Sequence, residues 1–268
     1  MAEGLLDKVE RLMGQPVTGF TPLHGGDLSE VYKVDLTDGR TVAIKLGAYV
    51  DAEARMLRAI AQSGAPCPTV LATQGDVLIM TLEQEVPADP SGWASLGRAL
   101  RQLHDTMGTH YGWEQDYAFG PAIIPNAPRH SWPDFWGEQR LLALAPDLPG
   151  DVVKRLETLN KRLPDLLPAH PTPSLLHGDL WTGNVLFTLQ GGKLIDPACY
   201  YGDAEVDLAM LHLFGAPGPQ FIDSYGALPE GWQMRRALYQ LWPALVHLRL
   251  FGAGYRDMVE KRLKAVGS

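Results

Sequence analysis

Residues 177–184 of the chain read HGDLWTGN, and after two short apolar runs residues 195–197 read IDP. The pattern gives an aspartate (Asp179), an amide five residues later (Asn184) and a second aspartate (Asp196) at the end of an apolar run. This order is typical of phosphoryl-transfer enzymes, in which a base accepts a hydroxyl proton and two later groups bind the metal ion. Amide and carboxylate oxygens suit Mg²⁺. We therefore predict that Asp179 is the base and that Asn184 and Asp196 bind Mg²⁺.

Other polar residues near this segment are interpreted as structural. His177 precedes the base and is expected to hold the loop rather than to donate a proton. Glu205 and Asp207 form either an acid pair at the site or a brace that accepts backbone amides of the loop, and we favour the brace for Asp207. Taken singly, Asp179 and Asn184 also fit ordinary turn residues, so the interpretation depends on the whole pattern.

The N-terminal part is predicted to be a small antiparallel sheet with a helix between its strands. Apolar runs predict strands at 18–23, 31–36, 41–46, 69–73 and 77–82, and helices at 3–12 and 50–62. The dipeptides Asp38-Gly39 and Gly75-Asp76 are hairpin signals.

Two features of this sheet suit a nucleotide. Gly25 and Gly26 separate the first two strands, where absent side chains leave backbone amides open to phosphate. Lys45 ends the third strand, and Glu53 follows on the next helix. Kinases orient their phosphate-binding lysine with such a glutamate, so we predict a Lys45–Glu53 pair.

The rest of the chain is predicted to be mostly helical. Helices are expected from a cap at Ser91 to 107, over 132–144 and 151–166, and beyond Asp203, with an aromatic, Gly- and Pro-rich loop between 111 and 133. Short strands are predicted at 174–176, 185–188 and 193–195. The fold class is α+β, with a nucleotide-binding lobe at 1–83 and a helical lobe at 84–268 that carries the catalytic loop.

Composition limits the partners of this chain. Its 268 residues include 23 basic and 31 acidic side chains, a net charge of −8, and no run of lysine and arginine. We therefore expect no nucleic-acid partner, although a local cradle of amides, one lysine and a metal ion still binds a nucleotide. No stretch approaches the ~20 apolar residues of a membrane span, and the N-terminus has no apolar signal core. With only two cysteines, we expect a cytoplasmic protein without a disulfide framework.

The sequence around the catalytic loop resembles the fructosamine (ketosamine) kinases, within the superfamily of aminoglycoside phosphotransferases and choline kinases. The wider superfamily shares HGD-x4-N and ID, whereas the tryptophan after HGDL and the run DPACYYGDAEVDLAM at 196–210 are narrower. Similarity extends to LHGGDLSEVY at 23–32, to GWxxLGxxLxxLH at 92–104, and to 111–142. The resemblance therefore covers nearly the whole chain.

This resemblance implies a bilobal protein-kinase-like fold with ATP between the lobes. Lys45 would contact the α- and β-phosphates, and the backbone of the hinge would bind adenine. The hinge matches Thr81, Leu82 and Glu83. The phosphate-covering loop matches residues 25–29, among them Gly25, Gly26, Asp27 and Ser29.

The family phosphorylates the third-carbon hydroxyl of ketosamines, and breakdown of the product frees the amine (deglycation). Trp181 either stacks on the acceptor sugar or fills a gap beneath the loop, and we favour the sugar contact. Tyr201, Asp203 and Trp232 are further candidates for the acceptor pocket. Asp203 occupies a position where many family members carry histidine, and Tyr201 alternatively belongs to the core.

Two other functions are considered. The first is a kinase of the same fold that phosphorylates another hydroxyl acceptor, an aminoglycoside or choline. A catalytically inactive binding protein is the second, and it is disfavoured because Lys45, Asp179, Asn184 and Asp196 are all present. The sequence leaves open which ketosamine sugar is used, whether it is free or protein-linked, and the oligomeric state, for which a monomer is expected.

Overall fold

The computed structural model describes residues 2–23 and 29–268, so the predicted phosphate-loop residues Gly25, Gly26 and Asp27 lie outside the described residues. The strands are β1 (Val17–Leu23), β2 (Glu30–Leu36), β3 (Thr41–Leu46), β4 (Val70–Gln74), β5 (Val77–Thr81), β6 (Tyr117–Phe119), β7 (Ala122–Ile124), β8 (Ser174–Leu176), β9 (Val185–Thr188), β10 (Gly191–Leu194) and β11 (Tyr200–Gly202). The helices are α1 (Ala2–Met13), α2 (Val50–Ser63), α3 (Pro90–His104), α4 (Trp132–Trp136), α5 (Gly150–Asn160), α6 (Leu163–Leu166), α7 (Glu205–Leu211), α8 (Pro219–Tyr225), α9 (Trp232–Phe251) and α10 (Arg256–Ala265).

The first five strands form one antiparallel sheet in the order β1-β2-β3-β5-β4. The predicted boundaries of these strands are each correct to within one residue. The turn at Asp38-Gly39 joins β2 to β3 as expected, with Gly39 at φ 84°, a value that glycine adopts without strain. The mixed helix and sheet architecture of the α+β prediction is therefore confirmed.

The sheet lies between α1 and α2 because its strands are apolar on both faces. Val42 and Ile44 of β3 pack in one cluster with α1, whereas Ala43 packs with Leu57 of α2 in another. Successive residues of a strand point to opposite faces, so Lys45 shares the α2 face with Ala43. This alternation carries the lysine amine toward the first turn of α2.

The start of α3 differs from the prediction. The helix begins after Asp89, whose carboxylate accepts a hydrogen bond of 2.6 Å from the backbone N–H of Gly92. Pro90 occupies the first turn, where its missing N–H costs no hydrogen bond. The predicted cap, Ser91, instead donates its hydroxyl to Asp89.

Three further predictions about the helical part were wrong. The segment 111–133, expected to be a loop, contains the hairpin β6–β7 with Gly120 (φ 53°) at its turn. The helix expected over 132–144 is α-helical only to Trp136 and continues as a π-helical turn, Gly137–Leu141. The helix expected over 151–166 breaks into α5 and α6, because Pro164 cannot donate the hydrogen bond that would continue α5.

Arg140 is completely buried where these elements meet. Its guanidinium donates to the carbonyl of Pro125 (2.7 Å) and to Oδ1 of Asn126 (2.8 Å). It also lies over the rings of Tyr200 (4.0 Å to the centroid) and Trp242 (5.6 Å). The recorded hydrogen bonds of Arg140 within the described residues go to carbonyl oxygens rather than carboxylates. Burial lowers the pKa of Arg140.

The lobe boundary predicted at residue 83 stays a prediction. The side chain of Glu83 itself is held by an ion pair. Its Oε2 lies 2.5 Å from Nζ of Lys193 on β10.

Among the described helices, none combines the length and the apolar character that crossing a membrane requires.

Candidate active site

The loop with the sequence HGD (177–179) leaves β8 through a glycine that no other residue could replace without strain. Gly178 has φ 82°, and a Cβ atom there would lie 2.0 Å from the backbone oxygen of Ala198. The two oxygens of Asp207 accept hydrogen bonds from the amides of His177 (2.7 Å) and Gly178 (2.9 Å). His104 Nε2 lies 3.0 Å from the same carboxylate. This is the arrangement that the predicted bracing role of Asp207 requires.

Both ring nitrogens of the buried His177 are occupied. Its Nε2 donates to the carbonyl of Ile195 (2.8 Å), and its Nδ1 accepts from the amide of Asp179 (3.3 Å). Burial lowers the pKa of His177, which keeps the ring neutral. The histidine thus joins the base-bearing loop to the strand end before Asp196.

Asp179 and Asn184 contact each other directly. Nδ2 of Asn184 donates to the backbone oxygen of Asp179 (2.8 Å) and to its Oδ2 (2.9 Å). A 3₁₀ turn, Thr182–Asn184, reverses the chain and makes this contact possible. Burial raises the pKa of Asp179 to about 7, against the opposing effect of the Asn184 hydrogen bond. A carboxylate whose pKa lies near neutrality suits a general base.

The Lys45 amine bridges two carboxylates. Its Nζ lies 2.9 Å from Oε1 of Glu53 and 2.8 Å from Oδ1 of Asp196. Burial by itself would lower the pKa of Lys45, but the negative charges of Glu53 and Asp196 outweigh burial and raise it. The short interval between Lys45 and Glu53 is spanned because α2 begins soon after β3. Among the described non-glycine residues, Asp196 alone has positive φ, 52°.

The chemistry of Asn184 and Asp196 fits a magnesium ion. The amide nitrogen of Asn184 is committed to Asp179, which leaves its carbonyl oxygen as a ligand, and the Asp196 side chain is 40% exposed. Within the described ranges, no group of three or more His, Cys, Asp or Glu residues could form a metal cage. Mg²⁺ commonly uses one or two protein oxygens together with water and substrate phosphates, so a sparse donor set is appropriate.

A cavity of about 690 Å³ opens beside these groups. Its charged and amide lining residues, which we call the polar wall, are Lys45, Glu53, Asp179, Asn184 and Asp196. A group of its lining rings, which we call the aromatic wall, comes from the loop after Asp179, the segment after α7, and α9 with the turn that follows it: Trp181, Phe214, Tyr239, Trp242, His247, Phe251 and Tyr255. The same cavity is therefore lined by charged groups and by many aromatic rings.

Of the predicted acceptor residues, the structure brings only Trp181 to this cavity. Its ring is 37% exposed and meets Phe214 edge-on at 5.7 Å. Tyr201 packs against Trp113 (5.7 Å), and Trp232 packs against His212 (5.6 Å). Neither ring lines the cavity.

Asp203 is also displaced from the acceptor position that the sequence suggested. It is buried behind the aromatic wall, where its Oδ2 accepts the hydroxyl of Tyr239 at 2.6 Å. Its other oxygen accepts the amide of Glu205 at 3.0 Å. Burial raises the pKa of Asp203 to about 6, and the charge of Glu205 adds to this effect. The side chain therefore braces Tyr239 rather than facing a sugar.

The predicted nucleotide-binding residues divide into two groups. Ser29 lines the cavity together with Lys45 and Glu53. Thr81, Leu82 and Glu83 lie outside the cavity, and the Thr81 hydroxyl donates to Glu83 Oε1 at 2.8 Å. Their contact with adenine stays a prediction.

Sequence reasoning missed most of the aromatic wall. Tyr239, Trp242 and His247 recur at helical spacing on α9, a pattern that otherwise indicates ordinary core. Tyr117, on the hairpin read as a loop, also lines the cavity. The available signal was the number of aromatic residues along α9, and this pattern does not distinguish a cavity wall from a packed core.

The five-stranded sheet, the lysine–glutamate pair and the braced HGD loop together define a protein-kinase-like phosphotransferase. Residues 1–267 match the family model described as fructosamine kinase. The chain therefore belongs to the fructosamine kinase family, and the resemblance seen in its sequence is confirmed.

Relatives agree over most of the chain. A probable ketoamine kinase of Thermus thermophilus is 34% identical over 250 residues, 91% of this chain and 92% of that relative. The crystal structure of a candidate fructosamine-3-kinase from Thermobifida fusca superposes with a TM-score of 0.90 at 33% identity and covers 98% of each chain. An amicoumacin kinase solved with AMP-PNP, Ca²⁺ and Ami shares the fold alone, with a TM-score of 0.65 at 17% identity over 98% of this chain and 92% of that one.

Proposed function

We propose that this chain is an ATP- and Mg²⁺-dependent kinase that phosphorylates the third-carbon hydroxyl of a ketosamine. The observation that carries the proposal is the convergence of Lys45, Asp179, Asn184 and Asp196 at one end of a single cavity. Membership of the fructosamine kinase family supports the acceptor class.

In this mechanism Asp179 orients the acceptor hydroxyl and takes its proton, which makes the oxygen a better nucleophile toward the γ-phosphate. Lys45, held by Glu53 and Asp196, offsets negative charge on the phosphates. Asn184 and Asp196 would hold Mg²⁺, which when bound supplies further charge neutralisation at the phosphates. Asn184 also donates a hydrogen bond to Asp179. The residue that would hold the metal ion at the phosphates and the residue that would bind the acceptor hydroxyl are therefore fixed relative to each other.

The lining of the cavity also bears on the acceptor. Its described acidic residues, Glu53, Asp179 and Asp196, all belong to the polar wall. Polycationic aminoglycosides need acidic partners across their whole length, and the aromatic wall provides none. A ketosamine has one amine and a small sugar, so it requires no such acidic surface.

The proposal is tested with the purified full chain, ATP, Mg²⁺ and a panel of fructosyl, ribulosyl and erythrulosyl amines. Mass spectrometry and NMR of the products would report the phosphorylated carbon. We expect phosphate on the third-carbon oxygen of at least one ketosamine and loss of the reaction on removal of Mg²⁺ by EDTA. Turnover of kanamycin without turnover of any ketosamine would overturn the assignment.

Choline is the second candidate acceptor, because aromatic rings attract quaternary ammonium groups. The aromatic wall is the observation that favours it. The same assay with choline separates the candidates, since choline lacks the vicinal hydroxyls of a sugar and gives a different product mass. Location in the cytoplasm, a monomeric state and the absence of a nucleic-acid partner stay predictions.

A further inference from the structure

The aromatic wall continues outward from the catalytic loop as a row of touching rings. Trp181 meets Phe214 at 5.7 Å, Phe214 meets His247 at 5.2 Å, and His247 meets Tyr255 at 5.0 Å and Phe251 at 5.5 Å. The row begins two residues after the base, Asp179, and ends at the turn beyond α9. The row therefore connects the loop that carries Asp179 with the turn beyond α9.

Several of these rings are exposed to a degree that core packing does not explain. Trp181 is 37% exposed, Phe214 43% and Phe251 45%. Contiguous exposed apolar surface beside a site commonly marks a place where a ligand is buried. All three side chains line the same cavity as the polar wall.

The row carries no charge of its own. Nδ1 of His247 donates to the carbonyl of Pro243 at 2.8 Å, and burial lowers the pKa of His247, which favours the neutral ring. Lys45 is the only lysine or arginine among the described residues that line the cavity, and its amine already bridges Glu53 and Asp196. A ligand carboxylate in contact with these rings would lose its hydrating water molecules. Among the described lining residues, it would find no lysine or arginine apart from Lys45, which is already paired.

We propose that the aromatic wall binds the substituent on the amine of the ketosamine and selects apolar or aromatic substituents over those that bear a carboxylate beside the nitrogen. This inference rests on the proposed function, which places the third-carbon hydroxyl at Asp179. The amine is attached to the first carbon of the same sugar, so its substituent leaves the polar wall close to Trp181. The substrates selected in this way are ketosamines of simple amines or of lysine side chains within a protein, rather than of free amino acids at their α-nitrogen.

Three fructosamines that differ by one group each test the proposal. The phenethylamine and ethylamine derivatives differ by the ring, and the phenylalanine and phenethylamine derivatives differ by the α-carboxylate. We expect kcat/KM for the phenethylamine derivative to exceed that of the ethylamine derivative by ~10-fold, since a pocket that buries apolar groups discriminates on this scale. We expect the phenylalanine derivative to be worse than the phenethylamine derivative by at least ~10-fold, because its carboxylate is buried unpaired.

A positive charge placed in the row should offset the second preference. Phe214→Arg is expected to raise kcat/KM of the phenylalanine derivative relative to the phenethylamine derivative by ~10-fold, because the guanidinium pairs with the carboxylate. Met234→Arg is the matched control: Met234 is 80% exposed at the start of α9 and does not line the cavity, so its ratio should equal that of wild type. Phe251→Arg serves as the second variant if the first does not fold.

The outcomes separate the two levels of the argument. Turnover of all three fructosamines with equal kcat/KM, or an unchanged ratio in the folded row variant (Phe214→Arg, or Phe251→Arg in its place), would overturn the role of the aromatic wall and leave the ketosamine kinase assignment intact. Turnover of choline or kanamycin with no fructosamine turned over would instead overturn the proposed function, and this inference with it.

Discussion

The polar wall and the aromatic wall of the cavity are held in place by different forces. Charged groups on the polar wall bind one another, as Lys45 does with Glu53 and Asp196, whereas rings on the aromatic wall are held by packing. Each wall is nevertheless backed by one buried aspartate. Asp207 holds the loop that carries the base, and Asp203 holds Tyr239.

Burial raises the pKa of both aspartates, but their net pKa shifts have opposite signs. Burial raises the pKa of Asp207, but the His104 hydrogen bond and the loop amides outweigh it, so the net pKa is lowered. Asp203 has fewer donors and a negative neighbour, Glu205, so its pKa is raised to about 6. The comparison indicates that a charged brace is needed behind the polar wall, while the aromatic wall needs only a hydrogen-bond acceptor.

The largest expected effect is on the polar wall itself. Asp179→Asn removes the proton acceptor at nearly constant shape and should lower kcat by ~10²–10⁴-fold, the usual contribution of a general base. ATP affinity, measured by calorimetry, should change little, because the proposed mechanism assigns Asp179 to the acceptor hydroxyl and not to the nucleotide. Steady-state kinetics would contradict the assignment if the variant kept its full kcat.

The brace behind the polar wall comes next. Asp207→Ala leaves two amides and His104 without an acceptor, so we expect the free energy of unfolding to fall by about 3–5 kcal/mol. Urea denaturation measures this loss. Asp105→Ala is the control, since its pair with Arg101 is exposed and should contribute less than ~1 kcal/mol. Equal losses in the two variants would show that the brace has no special role.

The third prediction concerns the first ring of the aromatic wall. Trp181→Ala removes apolar surface next to the base and should raise KM for the ketosamine ~10-fold, in line with the burial of a large side chain. KM for ATP should stay unchanged. Leu189→Ala, at an 84% exposed position on the β9–β10 turn, is the control. If both KM values rose together in Trp181→Ala, the tryptophan would be supporting the loop rather than the acceptor.

The smallest effect belongs to the brace of the aromatic wall and depends on pH. The folded-state pKa of Asp203, about 6, is above the ordinary value of an unfolded chain, so ionisation opposes folding and the opposition grows as pH rises toward neutrality. Asp203→Asn cannot ionise. Relative to wild type, its free energy of unfolding should therefore increase by ~1 kcal/mol from about pH 5 to about pH 7.5.

Denaturation curves at the two pH values test this sign. A stability difference that stays constant, or one that falls with pH, would show that Asp203 is not the titrating group. The constant part of the difference reports the lost hydrogen bond to Glu205 or to Tyr239, whichever the amide cannot make.

Local patterns predicted much of the fold. The five N-terminal strands and α2 followed from apolar runs bounded by turn residues, and the HGD loop followed from a fixed spacing. Predictions went wrong where long-range contacts decide the local structure. The hairpin β6–β7 lies in a Gly- and Pro-rich segment, and the π turn Gly137–Leu141 packs so closely that a Cβ on Gly137 would lie 1.9 Å from Asn160 Oδ1.

The candidate site divides in the same way. Asp179, Asn184, Asp196, Lys45 and Glu53 were named from the sequence because their chemistry requires those residue types in that order, and the structure brings them to one cavity. Of the aromatic wall, only Trp181 was named from the sequence, because apolar rings at helical spacing have no such signature. Whether Tyr201, Asp203 or Trp232 reaches the cavity depended on the direction of a side chain, which the pattern of residues does not fix.

The buried guanidinium of Arg140 limits how the acceptor specificity of this protein can be redesigned. It contacts Tyr200, Trp242 and the segment that carries Asn126, so a change at any one of these alters the surroundings of a cation with no carboxylate partner among its recorded hydrogen bonds. Phe214 and Phe251 have no such contact. Libraries that vary the outer rings and keep Trp242 should therefore yield folded enzymes with new acceptors, whereas libraries that vary Trp242 should lose most members to misfolding.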